Sequence, residues 1–308
     1  MKKAQGLRLF HHVNALRLLP LIAPSPNNWR KWLPTKRRTG LMRQDIQPFL
    51  KWAGGKRWLV SQHSSIFPST YKRYIEPFVG SGAIFFGLQP KTAILADINS
   101  DLISCYTAIK TNWQLVKYEL AKHQRAHSKD YYYKIRAYSP RNLYKQAARF
   151  IYLNRTCWNG LYRVNLAGKF NVPIGTKSTV LTDSDDFNLL SNLLSNVELL
   201  VSDFEPIVDR ARKNDLLFVD PPYTVKHNLN GFIKYNERLF SWDDQVRLRD
   251  SLLRAKQRGA HIILTNANHA SVRALYKSSF ELKTVTRHSV IAANPSNRKQ
   301  CEELIVRG

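Results

Sequence analysis

The sequence predicts an α/β fold: a largely parallel sheet with helices on both faces and an inserted, mainly helical subdomain. Three observations carry this. Short apolar runs recur along the chain, each ending in a polar or glycine-rich turn, as buried strands do. Stretches of helical periodicity lie between several of them, and strands alternating with helices give parallel sheets. Between Cys105 and Asp186 the rhythm breaks into a Tyr-, Arg-, Lys- and Asn-rich segment that no strand interrupts.

The elements follow in order. Residues 1–43 carry ten basic residues and no acidic one, and are expected to lie outside the fold as a basic extension. Met1 to Pro26 mildly mimics a secretory leader, but Arg8, His11, His12 and Arg17 interrupt any apolar run. Met42 stands where a shorter protein could begin. Strands are expected at Tyr74-Ile75 running into Glu76-Pro77, Ala93–Ala96 ending at Asp97, Val197–Val201 ending at Ser202-Asp203, and Leu216–Val219 ending at Asp220. Further strands are expected at His261–Leu264 ending at Thr265-Asn266, at Leu282–Thr286 and at Glu303–Val306, with a helix over Trp242–Arg258. Within 105–186, helices are expected over Ala121–Tyr138 and Arg141–Leu153, followed by Gly- and Asn-rich loops. The expected organisation is a catalytic domain from 44–104 and 187–308, interrupted by the insertion 105–186. Ligands of such sheets sit beyond the carboxyl ends of the strands. Here those ends carry Glu76, Asp97, Asp203, Asp220 and Asn266.

Charge narrows the partner. Forty-eight Lys and Arg against twenty-two Asp and Glu give a net charge of +26. Removing the ten cations of the extension still leaves thirty-eight against twenty-two on the body. A surplus spread over the fold suits a polyanion, because neutralising phosphates drives nucleic-acid affinity. No stretch approaches the roughly eighteen uncharged apolar residues of a membrane helix. Cys105, Cys157 and Cys301 are odd in number and far apart, which suggests neither a disulfide framework nor a metal site. His123 and His127 have the spacing of a helical ligand pair, but without a third ligand nearby they are read as a solvated helix face. A reducing, cytoplasmic setting is expected, with no metal.

Two motifs carry the chemistry. In Glu76-Pro77-Phe78-Val79-Gly80-Ser81-Gly82, Gly80 and Gly82 let the chain turn tightly after a strand and approach a nucleoside. Asp97 closes the next strand, where a carboxylate accepts hydrogen bonds from ribose hydroxyls. Phe85-Phe86 fills the place of the third glycine of the dinucleotide fingerprint. Gly54-Gly55-Lys56 lacks the spacing and the following Ser or Thr of a phosphate loop, since Arg57 comes next. The second motif is Asp220-Pro221-Pro222-Tyr223, directly after an apolar strand. Two prolines cannot donate ladder bonds, so the sheet stops there. Asp220 and the Pro221 carbonyl present acceptors to an amino group, and Tyr223 offers a face to the ring that bears it. An exocyclic amine is a poor nucleophile because its lone pair is delocalised. Accepting both its N–H bonds draws the nitrogen towards a tetrahedral, nucleophilic geometry. The base would first have to leave the duplex stack.

With these motifs the chain resembles the DNA adenine methylase family, adenine-N6 methyltransferases ordered as cofactor motif, target-recognition region, then Asp-Pro-Pro-Tyr. The resemblance spans residues 47–307. Phe49-Leu50-Lys51-Trp52-Ala53-Gly54-Gly55-Lys56 looks like the family's N-terminal cofactor motif, and Ile94-Leu95-Ala96-Asp97-Ile98-Asn99 like its acidic strand end. Tyr152-Leu153-Asn154-Arg155, Asn159-Gly160-Leu161-Tyr162-Arg163 and Phe170-Asn171-Val172-Pro173-Ile174-Gly175 look like its recognition region. The resemblance implies a Rossmann-like, S-adenosylmethionine-dependent methyltransferase sheet. It implies a cofactor pocket lined by Trp52, Lys56, Phe78, Gly80, Gly82, Asp97, Asp203, Phe204 and Asp220, and catalysis by Asp220, Pro221, Pro222 and Tyr223. It also implies target contacts from Lys51, Asn159, Leu161, Arg163 and Pro173. Trp158 stands where relatives carry a smaller aromatic; it could wedge into the space left by an extruded base, or pack within the subdomain. Arg287-His288-Ser289-Val290, with Arg298 and Lys299, resembles the family's late basic loop.

The expectation is therefore methyl transfer from S-adenosylmethionine to adenine N6 in double-stranded DNA, within GATC, by a monomer in a bacterial cell or a phage-infected host. Cytosine-N4 enzymes of similar geometry commonly carry Ser in place of Asp. Two other readings stay open: a nicotinamide-dependent oxidoreductase, permitted by the glycine loop and Asp97, and a non-catalytic DNA-binding relative.

Overall fold

A computed structural model describes residues 46–165, 167–225, 240–288 and 300–308. The basic extension over 1–43 and the late-loop residues Ser289, Val290, Arg298 and Lys299 lie outside the described residues.

All seven expected strands form one sheet: β1 (Tyr74–Glu76), β2 (Ala93–Asp97), β3 (Val197–Val201), β4 (Leu216–Val219), β5 (His261–Ala267), β6 (Glu281–His288) and β7 (Gln300–Arg307). Their order is β3-β2-β1-β4-β5-β7-β6. Strands β1 to β5 pair in parallel, while β7 runs antiparallel between β5 and β6. This is a Rossmann-like sheet. It collects the carboxyl ends of β1, β2, β3 and β4 along one edge.

Alternation along the strands splits the core into two layers, since successive side chains face opposite sides of a sheet. Tyr74, Leu216 and Phe218 pack on one side with α1 (Arg57–Gln62), α2 (Ala83–Leu88), α3 (Ser100–Ala126), α4 (Lys129–Ala137), α5 (Leu143–Thr156) and α6 (Phe187–Leu194). Ile75, Leu217 and Val219 pack on the other with α7 (Phe204–Val208), α8 (Trp242–Gln257) and α9 (Ala270–Tyr276). The four residues of β4 are buried on both faces, as an unbroken apolar run in a central parallel strand requires.

Helix starts follow their capping residues. Asn99 accepts from the Leu102 N–H at the start of α3, and Asn142 accepts from Tyr144 and Lys145 at the start of α5. Ser241 and Asp244 form a reciprocal capping box on α8. Three expectations need correction. The helix expected from Ala121 to Tyr138 is two elements: α3 already begins at Ser100 and ends at Ala126, and Ser128 caps a new helix. Cys105, where the insertion is expected to begin, lies within α3, which also packs on the sheet.

His123 and His127 do not form a solvated face. His123 is 9% exposed, stacks on Tyr152 at 4.8 Å between ring centroids, and bonds the Tyr131 hydroxyl through Nδ1 at 2.8 Å. His127 closes the helix and bonds the Tyr152 hydroxyl at 3.0 Å. The tyrosines of α4 and α5 supply an apolar, hydrogen-bonding wall that the i, i+4 pattern alone does not reveal. Asn266 likewise is not at a strand end. The strand runs on to Ala267, and Asn266 is fully buried, donating to Gln245 Oε1 at 3.2 Å.

Candidate active site

The site is assembled at the carboxyl edge of β1, β2 and β4, with the N-terminal segment laid across it. Gly80 and Gly82 both have positive φ, +47° and +67°. Space as well as conformation demands glycine at these two positions. A Cβ on Gly80 would stand 2.7 Å from Cδ1 of Trp52, and one on Gly82 would stand 2.8 Å from the Tyr106 hydroxyl. The glycine loop is thus closed from one side by Trp52, whose ring stacks on Tyr162 at 5.4 Å and 22°. Asp97, at the end of β2, accepts from the N–H groups of Gly80 at 3.2 Å and Asn99 at 3.0 Å. Burial raises the Asp97 carboxyl above the usual carboxylate range, and these backbone donors offset only part of that rise. Ile98, directly after it, is 75% exposed, an unusual position for an isoleucine and one that sequence reasoning passed over.

The second cluster centres on Lys56. Its side chain is 4% exposed. The ammonium lies 3.0 Å from Asp220 Oδ2 and 3.8 Å from Glu303 Oε2, and donates to the Gly54 carbonyl at 2.7 Å. It also sits 4.8 Å from the centroid of the Tyr223 ring, within cation–π range. The other Asp220 oxygen, Oδ1, accepts from the Thr265 hydroxyl at 2.6 Å. Tyr223 donates its hydroxyl to Glu303 Oε2 at 3.1 Å. Burial and the negative charges of Asp220 and Glu303 raise the Tyr223 phenol, so it stays protonated as a donor. Below this cluster, Glu76 is buried and accepts from the Tyr74 hydroxyl at 2.8 Å. Burial pushes the Glu76 carboxyl well up, despite the Tyr74 bond, and the charges of Asp220 and Asp97 push the same way.

Phe78 stacks on Phe204 at 5.6 Å and meets the edge of Phe240 at 5.7 Å, forming an aromatic wall beside the β1 end. Asp203 caps α7 by accepting from Glu205 N–H, and holds both terminal nitrogens of Arg247 at 2.9 Å. Its carboxylate is therefore engaged within the protein, while its neighbour Phe204 is part of the aromatic wall.

The segment expected to read DNA projects from the C-terminus of α5. Asn154 ties it to the N-terminal motif, accepting from Lys51 N–H at 2.8 Å and donating to the carbonyls of Lys51 at 2.8 Å and Gly160 at 3.2 Å. Arg155 does the same further out, donating to the Phe49 and Val180 carbonyls and pairing with Asp185. Gly175 lets two strands of loop pass closely, since a Cβ there would stand 2.5 Å from the Cys157 carbonyl oxygen. On this frame Trp158, Asn159, Leu161, Arg163 and Pro173 are all exposed, with Trp158 at 52% and Leu161 at 42%. The Trp158 N–H is bonded to the Pro173 carbonyl at 2.9 Å, and Arg163 Nε to Asn171 at 2.8 Å. Asn159 adopts positive φ, +55°, which turns the loop outwards. Lys51 is pressed against this loop. Burial, followed by the nearby Lys177, lowers its ammonium from the usual lysine range.

The structure thus brings Trp52, Gly80 and Asp97 together, and Lys56, Asp220 and Tyr223 together. Phe78 and Phe204 form a third group, and the exposed recognition residues a fourth. Sequence reasoning missed Glu303 and Thr265. Each carried a weak signal: Glu303 is an acid opening the apolar run Leu304-Ile305-Val306, and Thr265 is the first polar residue after Ile262-Ile263-Leu264.

The model of the D12 class N6 adenine-specific DNA methyltransferases matches residues 52–291. The Type II methyltransferase M1.LlaDCHI of Lactococcus lactis subsp. cremoris is 35% identical over 271 residues, covering 85% of this chain and 95% of that one. The Type II methyltransferase M.MjaIII of Methanocaldococcus jannaschii is 35% identical over 277 residues, covering 83% and 96%. A DNA adenine methylase of Haemophilus influenzae is 32% identical over 266 residues, covering 84% and 92%.

Proposed function

From a chain that belongs to the D12 class of N6 adenine-specific DNA methyltransferases, we propose transfer of a methyl group from S-adenosylmethionine to N6 of an adenine extruded from duplex DNA, within GATC. The observation that carries the chemistry is the clamp on Asp220. Lys56 holds one oxygen and Thr265 the other, which fixes the carboxylate beside the Pro221 carbonyl and the Tyr223 ring. Each carboxylate oxygen has a second lone pair. Asp220 can therefore keep its protein bonds and still accept an N–H of the target amine. With the Pro221 carbonyl accepting the other N–H, the nitrogen lone pair is freed from the ring for attack. Lys56 meanwhile holds the carboxylate in place by direct ion pairing at 3.0 Å.

The residues present suit the cofactor. Asp97 spends one bond on each oxygen, to Gly80 and Asn99, and retains lone pairs for a ribose diol. Exposed Ile98 offers an apolar surface to a purine, and the Phe78–Phe204 wall offers another. Bound there, S-adenosylmethionine would supply an electrophilic methyl group on a sulfonium. Trp52 and the glycine loop would shape the pocket, and Tyr223 would stack on the extruded base.

In this reading residues 44–104 and 187–308 are catalytic, and 105–186 read DNA. Arg163 can pair bidentately with guanine O6 and N7, while Leu161 and Pro173 suit a thymine methyl. Lys51 and Asn159 lie on the same surface, and exposed Trp158 can wedge where the adenine leaves. Digestion of treated DNA with methylation-sensitive nucleases that cut at GATC tests the site: protection is expected, and unaltered cutting would mean a different sequence. Asp220→Ala is expected to abolish transfer while DNA binding persists.

A further inference from the structure

Glu303 lies on the antiparallel strand β7, opposite Ala267 on one side and Val285 on the other. It is 3% exposed, followed by Leu304, Ile305 and Val306, each fully buried. A carboxylate in such a strand is costly unless its oxygens are paired. One oxygen, Oε2, meets both the Tyr223 hydroxyl at 3.1 Å and the Lys56 ammonium at 3.8 Å. Tyr223 itself belongs to the stretch Pro221–Val225, which is neither helix nor strand, so sheet register does not orient its ring. A tyrosine ring turns about two side-chain torsions, and an anchor at the far end of the ring restrains both. The Lys56 ammonium near the ring face adds a second restraint.

We propose that Glu303 is a positioning residue for the methyl transfer: through the Tyr223 hydroxyl it fixes the ring on which the target adenine stacks. The inference rests on the reading of Tyr223 as that stacking surface. It gives the antiparallel strand β7 a part in the reaction, through a group that the Asp-Pro-Pro-Tyr motif does not contain. Asp220 is clamped from β5 by Thr265, and Tyr223 is held from the neighbouring strand by Glu303, so the motif is set from two adjacent strands.

The test compares wild-type protein with Glu303→Met, Glu303→Gln, Tyr223→Phe and the double variant Tyr223→Phe/Glu303→Met. Two readouts are used on folded protein: steady-state methyl transfer, and the fluorescence of duplex DNA with 2-aminopurine at the target adenine, which reports the base's stacking environment without turnover. Glu303→Met and Tyr223→Phe are each expected to lower kcat about tenfold, the scale of one buried hydrogen bond, with KM for the cofactor little changed and an altered 2-aminopurine signal. Glu303→Gln keeps an acceptor oxygen and is expected to recover most of both. The double variant is expected to lose clearly less than the product of the two single losses, because both remove the Tyr223–Glu303 bond. Fully additive losses, or wild-type kcat in folded Glu303→Met, would overturn the proposal. If Glu303→Met fails to fold, the same bond is cut from the other side in Tyr223→Phe, and wild-type behaviour there overturns it equally. A wild-type protein that leaves the 2-aminopurine signal unchanged would instead overturn the extruded-base reading, and the proposal with it.

Discussion

Replacing Lys56 with methionine removes a cation that pairs with both Asp220 and Glu303 while nearly preserving side-chain length. The magnitude follows from the distances. At an effective dielectric constant of about 20, a pair 3.0 Å apart is worth roughly 5 kcal/mol and a pair 3.8 Å apart roughly 4 kcal/mol. Against this stands the desolvation of an ammonium that is 4% exposed, which costs several kcal/mol. Removing one partner of a buried pair typically costs about 3–5 kcal/mol, because the remaining charge is left uncompensated. Asp220 is 19% exposed and can recover some water, which places the expected loss near the lower end, about 3 kcal/mol. For a chain of this size that is a fall in Tm of roughly 4–6 °C. Thermal unfolding followed by circular dichroism measures it. Methyl transfer assayed well below the new Tm is expected to drop by about 100-fold or more, since the displaced carboxylate no longer meets the amine in register. A folded Lys56→Met protein with unchanged Tm and unchanged turnover would refute the role given to the Lys56 clamp.

Other expectations follow from single features. Gly80→Ala forces a side chain into positive φ and against Trp52 at 2.7 Å. It is expected to cost about 1–2 kcal/mol of stability, and to raise KM for S-adenosylmethionine more than it lowers kcat, read from initial rates. Burial lowers the His123 imidazole to about 4, against about 6.5 when unfolded. The unfolded chain therefore takes up the proton first, so stability is complete above about pH 6.5 and is lost as pH falls towards 4, by at most about 3 kcal/mol. Denaturant unfolding at pH 7 and pH 4.5 should show this, and His123→Phe, which keeps a ring against Tyr152, should flatten it. Arg163→Ala is expected to relax discrimination at one base pair by about 1–3 kcal/mol, measured as the ratio of turnover on matched and mismatched duplexes. Equal losses on both duplexes would remove Arg163 from base readout.

The sheet was almost fully legible because each strand is a short apolar run closed by a polar residue or a turn, and parallel strands buried on both faces keep that signature. The residues at the ends of β1, β2 and β4 followed directly, since a strand end at the ligand-binding edge of the sheet leaves its terminal side chain to the site. Contacts made across the sheet were not legible. Nothing local to Glu303 or Thr265 tells which loop faces them; that depends on β7 entering antiparallel beside β5 and on where Pro221-Pro222 redirects the chain. The helical segment was the least legible part. Its hydrogen-bonding tyrosines look polar in sequence yet form an interior that buries His123, and caps at Asn99 and Ser128, rather than a change in composition, set the helix boundaries.

The clamped Asp220 and the Tyr223 face are proposed to activate adenine N6. The most direct measurement is mass spectrometry of nucleosides from duplex DNA incubated with the protein and isotopically labelled S-adenosylmethionine. The expected result is label in N6-methyladenine alone, absent with Asp220→Ala. Label in N4-methylcytosine, or in no nucleoside from a protein shown to bind both the cofactor and DNA, would contradict it.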